Sequence, residues 1–188
     1  MRKKSGNSCQ KTPQANPLVR GPGNNNARGI LAELAFSLKA ASLGFGVAKP
    51  YGDKQHYDFI LDSGERIWRV QVKSSSYAVP GRSGYAVNAS HVGKGCKSKA
   101  YEADEIDFLA AYIVPADAWY IVPVNQLVSL RFLRVYPSGC RGGGCFESFR
   151  EAWHLMAPGA HLPQPRTLRR VRTIDFHRKL FGEQAGAY

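Results

Sequence analysis

Tyr57-Asp-Phe-Ile-Leu-Asp62, a loop at Ser63-Gly-Glu-Arg66, then Ile67-Trp-Arg-Val-Gln-Val-Lys73 is the stretch whose reading decides the fold. Successive side chains on a strand point to opposite faces, so parity determines which residues share a face. If the two runs pair antiparallel with Asp62 opposite Ile67, then Tyr57 faces Val72, Phe59 faces Val70 and Leu61 faces Trp68. That face is wholly apolar, and each such cross-strand pair contributes roughly 0.2–1 kcal/mol. The other face sets Asp58 opposite Gln71, with Lys73 two residues further on. A tighter two-residue turn at Ser63-Gly64 would slide the pairing by two and leave every side chain on the same face. For an arbitrary acid, amide and amine such a patch is a solvated outer surface. A helix or groove lying over it makes it a cleft.

The segment before the hairpin supplies a helix. From Gly29 onward Ile30, Leu34, Leu38 and Ala41 recur at three- and four-residue spacing, and Gly44 stands at the C′ position. This stripe is the expected buried face. Glu33 lies about 60° around the wheel from Ile30, at the margin of that face, where it is able to reach into a cleft. Phe45 to Tyr51, bounded by glycine and proline, reads as an edge strand.

Net charge is +12, from 26 Lys and Arg against 14 Asp and Glu, which favours a polyanionic partner. With 188 residues and 44% apolar content, one domain with a substantial core is expected. Residues 1–28 form a basic tail, 29–136 the core, and 137–188 a helical, basic C-terminal extension. No run approaches the roughly 18 apolar residues of a membrane span, and the N-terminus lacks a signal-peptide core, so a cytoplasmic protein is expected. Cys140 and Cys145 flank Arg-Gly-Gly-Gly, slightly wider than a zinc knuckle, and a full ligand set would need Cys96, His154 or His161. Reduced free thiols are the reading adopted for these and for Cys9.

Beyond Lys73 the segment 74–100 carries Arg82, Lys94, Lys97 and Lys99 without one acid, with a strand expected at Tyr85 to His91. It reads as a nucleic-acid contact ribbon, with Lys and Arg on phosphates and Asn88 or His91 on base edges. A solvated loop is the alternative. Tyr101 to Ile106 reads as a short helical turn. Asp107 to Val114 and Trp119 to Val124 read as a second hairpin, with Pro123 placing it at a sheet edge. Gln126 to Tyr136 has no decisive pattern. Phe146 to Met156 reads as a helix with Phe149, Trp153 and Met156 on one face. From Arg166 to Lys179 the residues Arg166, Arg169, Arg170, Arg172, Arg178 and Lys179 stand against the single acid Asp175, a density that suits a phosphate backbone.

Glu33 in Leu-Ala-Glu-Leu-Ala, Asp58 in Tyr-Asp-Phe-Ile, and Gln71 to Lys73 in Arg-Val-Gln-Val-Lys resemble, in order and spacing, the PD-(D/E)XK nuclease superfamily. The likeness spans about Gly29 to Val124 and is nearest to its bacterial group I intron-encoded homing endonucleases, where Gln stands in place of an acid. Tyr57 replaces the motif's proline, and Gln71 replaces Asp or Glu. The resemblance implies an α/β fold with the restriction-endonuclease-like αβββαβ core, a mixed central sheet flanked by helices, to which DNA-binding loops and the basic extension are added.

It further implies Mg²⁺-dependent hydrolysis of double-stranded DNA, with Mn²⁺ able to substitute. Asp58 is then the main metal ligand, Gln71 a neutral ligand, Val72 a carbonyl donor, and Glu33 a holder of metal-bound water or a second ion. Lys73 orients or deprotonates the attacking water, or stabilises charge on phosphorus. Cleavage of both strands implies a homodimer or homotetramer, and the setting implied is bacterial and nucleoid-associated. A structure-selective junction or repair nuclease accounts for the same residues with another substrate. A non-catalytic DNA-binding protein accounts for the charge but gives no reason for Asp58, Gln71 and Lys73 to share a face.

Overall fold

The computed structural model describes residues 25–52, 54–79, 84–93, 97–139 and 144–165. Helix α1 (Asn25–Ser42) precedes nine strands: β1 (Gly46–Ala48), β2 (Phe59–Asp62), β3 (Ile67–Ser75), β4 (Tyr85–Asn88), β5 (Ser90–Val92), β6 (Ser98–Ala100), β7 (Phe108–Ile113), β8 (Ala118–Pro123) and β9 (Phe132–Val135). The central sheet runs β1-β2-β3-β7-β8, antiparallel throughout except for the parallel pair β3 and β7. This is the mixed sheet expected of the α/β core.

The β2–β3 register is the one parity dictates: Phe59 opposite Val70, Leu61 opposite Trp68, Asp62 opposite Ile67. Its loop closes through Ser63 N–H to the Arg66 carbonyl at 3.0 Å and through Gly64 N–H to Asp62 Oδ1 at 2.7 Å. Gly64 adopts φ +85°, a region glycine enters without steric penalty. The second hairpin is β7–β8, and Pro123 lies on the sheet's outer strand as expected.

The buried face of α1 differs from the expected one. Ala32, Phe36 and Ala40 are buried, whereas Ile30, Leu34 and Leu38 are 56%, 60% and 74% exposed. Both sets recur every four residues, so periodicity alone offers two stripes on nearly opposite sides of the helix. Packing selects the one with a single large ring between two alanines. Phe36 sits 5.2 Å from the Phe59 ring and 5.6 Å from both Trp119 and Trp153, and the flanking methyl groups let the helix lie close to the sheet. The helix ends as Gly44 predicts. Phe45 N–H donates to the Ala40 carbonyl and Gly44 N–H to that of Ala41, with Gly44 at φ +89°, a Schellman cap.

The parallel step from β3 to β7 requires a crossover, which is ordinarily helical. Among the described residues α1 is the one α-helix, and the crossover instead carries β4, β5 and β6. β4 pairs with β9, and β5 with β6. The sheet is consequently buried on both sides. Phe59, Val70, Val72 and Phe108 pack beneath α1 and Trp153, while Leu109, Ala111, Tyr120 and Val122 pack against Val87, Leu133 and Val135 of the β4–β9 ribbon.

Tyr101 to Ile106 holds the expected turn, in which the Glu105 and Ile106 N–H groups donate to the Glu102 carbonyl. One further expectation is corrected. Phe146 to Met156 forms two 3-10 turns, Glu147–Phe149 and Trp153–Met156, separated by Arg150, Glu151 and Ala152. Glu151 has φ +48° and donates its N–H to the Trp119 carbonyl at 2.8 Å, while its Oε1 accepts the Trp119 N–H at 2.7 Å. A continuous helix would leave those groups of the outer strand unpaired. Phe149, Trp153 and Met156 are nonetheless buried, as their spacing suggests.

Phe36→Ala is expected to destabilise the chain by about 3–5 kcal/mol in urea unfolding, because it empties the space between α1 and three other rings. A change below about 1 kcal/mol would mean that α1 does not seat on this face.

Candidate active site

Where β2 begins, the hairpin forks. Asp58 N–H still donates to the Val70 carbonyl at 2.9 Å, but its side chain turns across β3. Oδ2 accepts the Val72 N–H at 2.8 Å and a hydrogen bond from Gln71 Nε2. The pairing of Tyr57 with Val72 therefore does not form. The carboxylate has taken the backbone donor, and Tyr57 packs with the cluster on the other side of the sheet. Both hydrogen bonds fall on Oδ2, which leaves Oδ1 without a donor among the described residues.

The fork opens a cleft of about 310 Å³ between α1 and β3. Glu33 and Arg28 line it from the helix, and Asp58, Gln71, Val72 and Lys73 from the hairpin. All five residues expected to share a site thus meet on one concavity. Gln71 is buried, with its amide nitrogen turned to Asp58 and, at 3.2 Å, to the Val72 carbonyl. Presenting its amide oxygen to the cleft requires a half-turn of that amide.

Burial pushes the Asp58 carboxyl above its ordinary range; the Val72 N–H opposes this, the negative charge of Glu33 adds to it, and Lys73 and Lys49 counter it more weakly. Lys49 carried no signal in the sequence. Only the fold brings it from the segment after β1 to Glu33 Oε2, at 2.6 Å, where its hydrogen bond to Glu33 raises its pKa, burial opposes that rise, and the charges of Glu33 and Asp58 add to it. An ammonium group thus stands against one of the two acids and within the field of the other.

The expected DNA-contacting residues are dispersed. Lys97 and Lys99 line a second concavity of about 470 Å³ beside β6, together with Arg131, which the sequence reading missed. Asn88 spends its side-chain oxygen on Ser90, accepting from the backbone N–H at 2.9 Å and the hydroxyl at 2.6 Å. His91 does not line the cleft; its Nε2 lies 3.2 Å from Glu105 Oε2. Arg82, Lys94, Arg166, Arg169, Arg170 and Arg172 lie outside the described residues, as do Cys9, Cys96 and Cys140. Cys145 is a free, exposed thiol. Among the described residues no helix is long and apolar enough to cross a membrane.

A family model described as PD-(D/E)XK endonuclease matches residues 24–139. Among solved structures, the bacterial homing endonuclease I-Ssp6803I is similar at 28% identity and a TM-score of 0.64, over 71% of this chain and 93% of that one. A structure of MepB is similar at 15% identity and a TM-score of 0.36, over 58% of this chain and 84% of that one, too distant to bear on the fold. No curated protein matches.

The folded-state pKa of Asp58 stands above its unfolded value, so folding stability falls as pH rises from about 4 through the raised value. Above the raised value the folded chain carries an ionised, partly desolvated carboxylate. Asp58→Asn is expected to raise the melting temperature of the metal-free protein by a few degrees at neutral pH, with the gap closing toward pH of about 4. A variant that melts below the wild type at neutral pH would show that the hydrogen bonds from Val72 and Gln71 outweigh the burial of charge.

Proposed function

We infer the activity from the premise that this chain belongs to the PD-(D/E)XK endonuclease family. We propose that it is a site-specific double-strand DNA endonuclease, the homing endonuclease of a group I intron, and that it hydrolyses phosphodiesters with Mg²⁺. The observation that carries this reading is the convergence of Glu33, Asp58, Gln71, Val72 and Lys73 on one cleft. The similarity to I-Ssp6803I over nearly its whole length supports the homing branch.

Members of this family use divalent metals, and the residues present fit a hard cation. Asp58, Glu33, the Val72 carbonyl and a turned Gln71 amide are all oxygen donors. The Lys49 ammonium drawn toward Glu33 and Asp58 is a cation already attracted to the same charge. Mg²⁺, or Mn²⁺ in its place, supplies charge neutralisation at the scissile phosphate and a more acidic water. Asp58 holds the principal ligand position, and the neutral Gln71 lowers the negative charge of the site by one relative to an acid. Lys73 sets its ammonium on the cleft wall, where it orients or deprotonates the attacking water or stabilises charge developing on the phosphoryl oxygens. Lys97, Lys99 and Arg131 offer a second basic contact for the phosphate backbone.

Two strands require two sites, so the active species is proposed to be a homodimer or homotetramer. The open face of α1, with Ile30, Leu34 and Leu38 more than half exposed, supports self-association, because a monomer rarely leaves such a stripe in water. Sedimentation at micromolar concentration is expected to give an oligomer for the wild type and a monomer for Leu34→Glu/Leu38→Lys. An unchanged oligomer would move the interface elsewhere.

Asp58→Ala and Lys73→Ala are each expected to lower cleavage of a plasmid library of randomised inserts and intron-less host genes by at least about 100-fold, with DNA binding nearly intact. Cuts at one long site, absent from the variants, establish the homing activity. Full activity in both variants would overturn the site. Preferential cleavage of branched DNA would favour a junction nuclease, and protection without cutting in Mg²⁺ and Mn²⁺ would leave a DNA-binding protein.

A further inference from the structure

Three segments far apart in sequence bring a second set of ligand-type side chains together. His56 lies two residues before Asp58, His91 is on β5, and Glu105 is in the turn before β7. One ligand atom from each lies within 4.8 Å of the other two. His91 Nε2 is 3.2 Å and His56 Nε2 3.7 Å from the two oxygens of Glu105, and the imidazole rings are 4.2 Å apart. The His91 and Glu105 side chains are only 12% and 11% exposed, while His56 reaches solvent at 45%.

Neither a solvated surface nor a completed polar network describes this cluster. His91 Nδ1 is buried and has no hydrogen-bond partner among the described residues, so its ring is short of one partner. Glu105 is ionised. Burial alone would raise its pKa, but the Glu102 N–H, the Lys99 ammonium and His91 together hold it below the ordinary value. Two imidazoles, tilted by 42° to one another, and one carboxylate form a donor set of nitrogen and oxygen with an approach open on the His56 side.

We propose that His56, His91 and Glu105 form a binding site for a borderline divalent transition ion of the zinc class. The site is separate from the Asp58 cleft and pins the β5–β6 ribbon to the segment that leads into Asp58. The chemistry distinguishes the two centres. The metal-ligand atoms the cleft can offer, once the Gln71 amide is turned, are oxygens, which suit Mg²⁺, whereas two imidazoles and one carboxylate suit Zn²⁺ with a fourth position left for water. Lys99 Nζ, 3.1 Å from Glu105 Oε1, is also 3.2 Å from Glu102 Oε2, so a second carboxylate is at hand for the ammonium if an ion takes its place on Glu105. The ion would then tie the ribbon bearing Lys97 and Lys99 to the strand bearing Asp58, so that backbone contact and catalytic carboxylate keep one relative placement.

The test is calorimetric titration of the full, chelator-treated chain with ZnCl₂, alongside the visible absorption of the Co²⁺ form. The proposal expects one tight site, weakened about tenfold or more in His56→Ala and in His91→Ala, and retained in Asp58→Ala and in Cys140→Ser/Cys145→Ser. His56 is the more exposed ligand, so its variant remains informative even if His91→Ala fails to fold. Zinc should also raise the melting temperature of the wild type and not that of His56→Ala. Equal zinc affinity in wild type and His56→Ala overturns the proposal, as does loss of binding in Asp58→Ala or in the double cysteine variant. A failure of DNA cleavage would leave this result untouched, because no readout passes through the cleft.

Discussion

The carboxylate of Asp58 on the backbone N–H of Val72 is the contact on which the arrangement of the site depends. A longer β2 would give that donor to a backbone carbonyl and close the hairpin into a uniform ladder. With the side chain in its place, β2 stops at Phe59 while β3 continues to Ser75, supported on its other side by β7. The edge of β3 that β2 leaves uncovered then presents the Val72 carbonyl to a cleft, beside Gln71 and Lys73, instead of to a neighbouring strand. A charge-assisted hydrogen bond of this kind is stronger than a neutral one, which helps hold an acid in a partly desolvated position.

That position also requires cover, and α1 supplies it. Phe36 seats the helix over Phe59 and the two tryptophans, and the same seating turns Glu33 toward Asp58. Two acids are thereby brought into one field. Lys49 and Lys73 answer part of their charge, and Asp58 remains above its ordinary pKa. Packing of apolar rings on one side of the helix thus sets the electrostatics on its flank. The opposite flank, rich in aliphatic side chains, is left open.

The other face of the sheet is covered by strands. The β4–β9 ribbon packs on it, and the Glu151 backbone and side chain bind both polar groups of Trp119 at the outer strand. The crossover that carries these ribbons also brings His91 and Glu105 beside His56, next to the fork. Tyr101 reports the proximity of the two centres: burial pushes its phenol up, and the charges of Asp58 and Glu105 both add to the shift. Its ring lies 5.1 Å from that of His91.

Strand parity was legible in the chain because its period is two and one slip would invert every side chain. The register of β2 with β3, the second hairpin, the outer position of Pro123 and the glycine cap of α1 all follow from local rules. Asp58, Gln71 and Lys73 were found on the same ground, since a strand's faces are readable without knowledge of its neighbours. What covers a face is not readable in that way. The two stripes of α1 have the same period, and only the shape of the sheet beneath chooses Phe36 between alanines over the larger aliphatic set. Lys49, Arg131 and the meeting of His56, His91 and Glu105 likewise depend on segments distant in sequence. The expected helix at Phe146 to Met156 gave way for the same reason, because the unpaired edge of β8 required backbone partners that a helix keeps for itself.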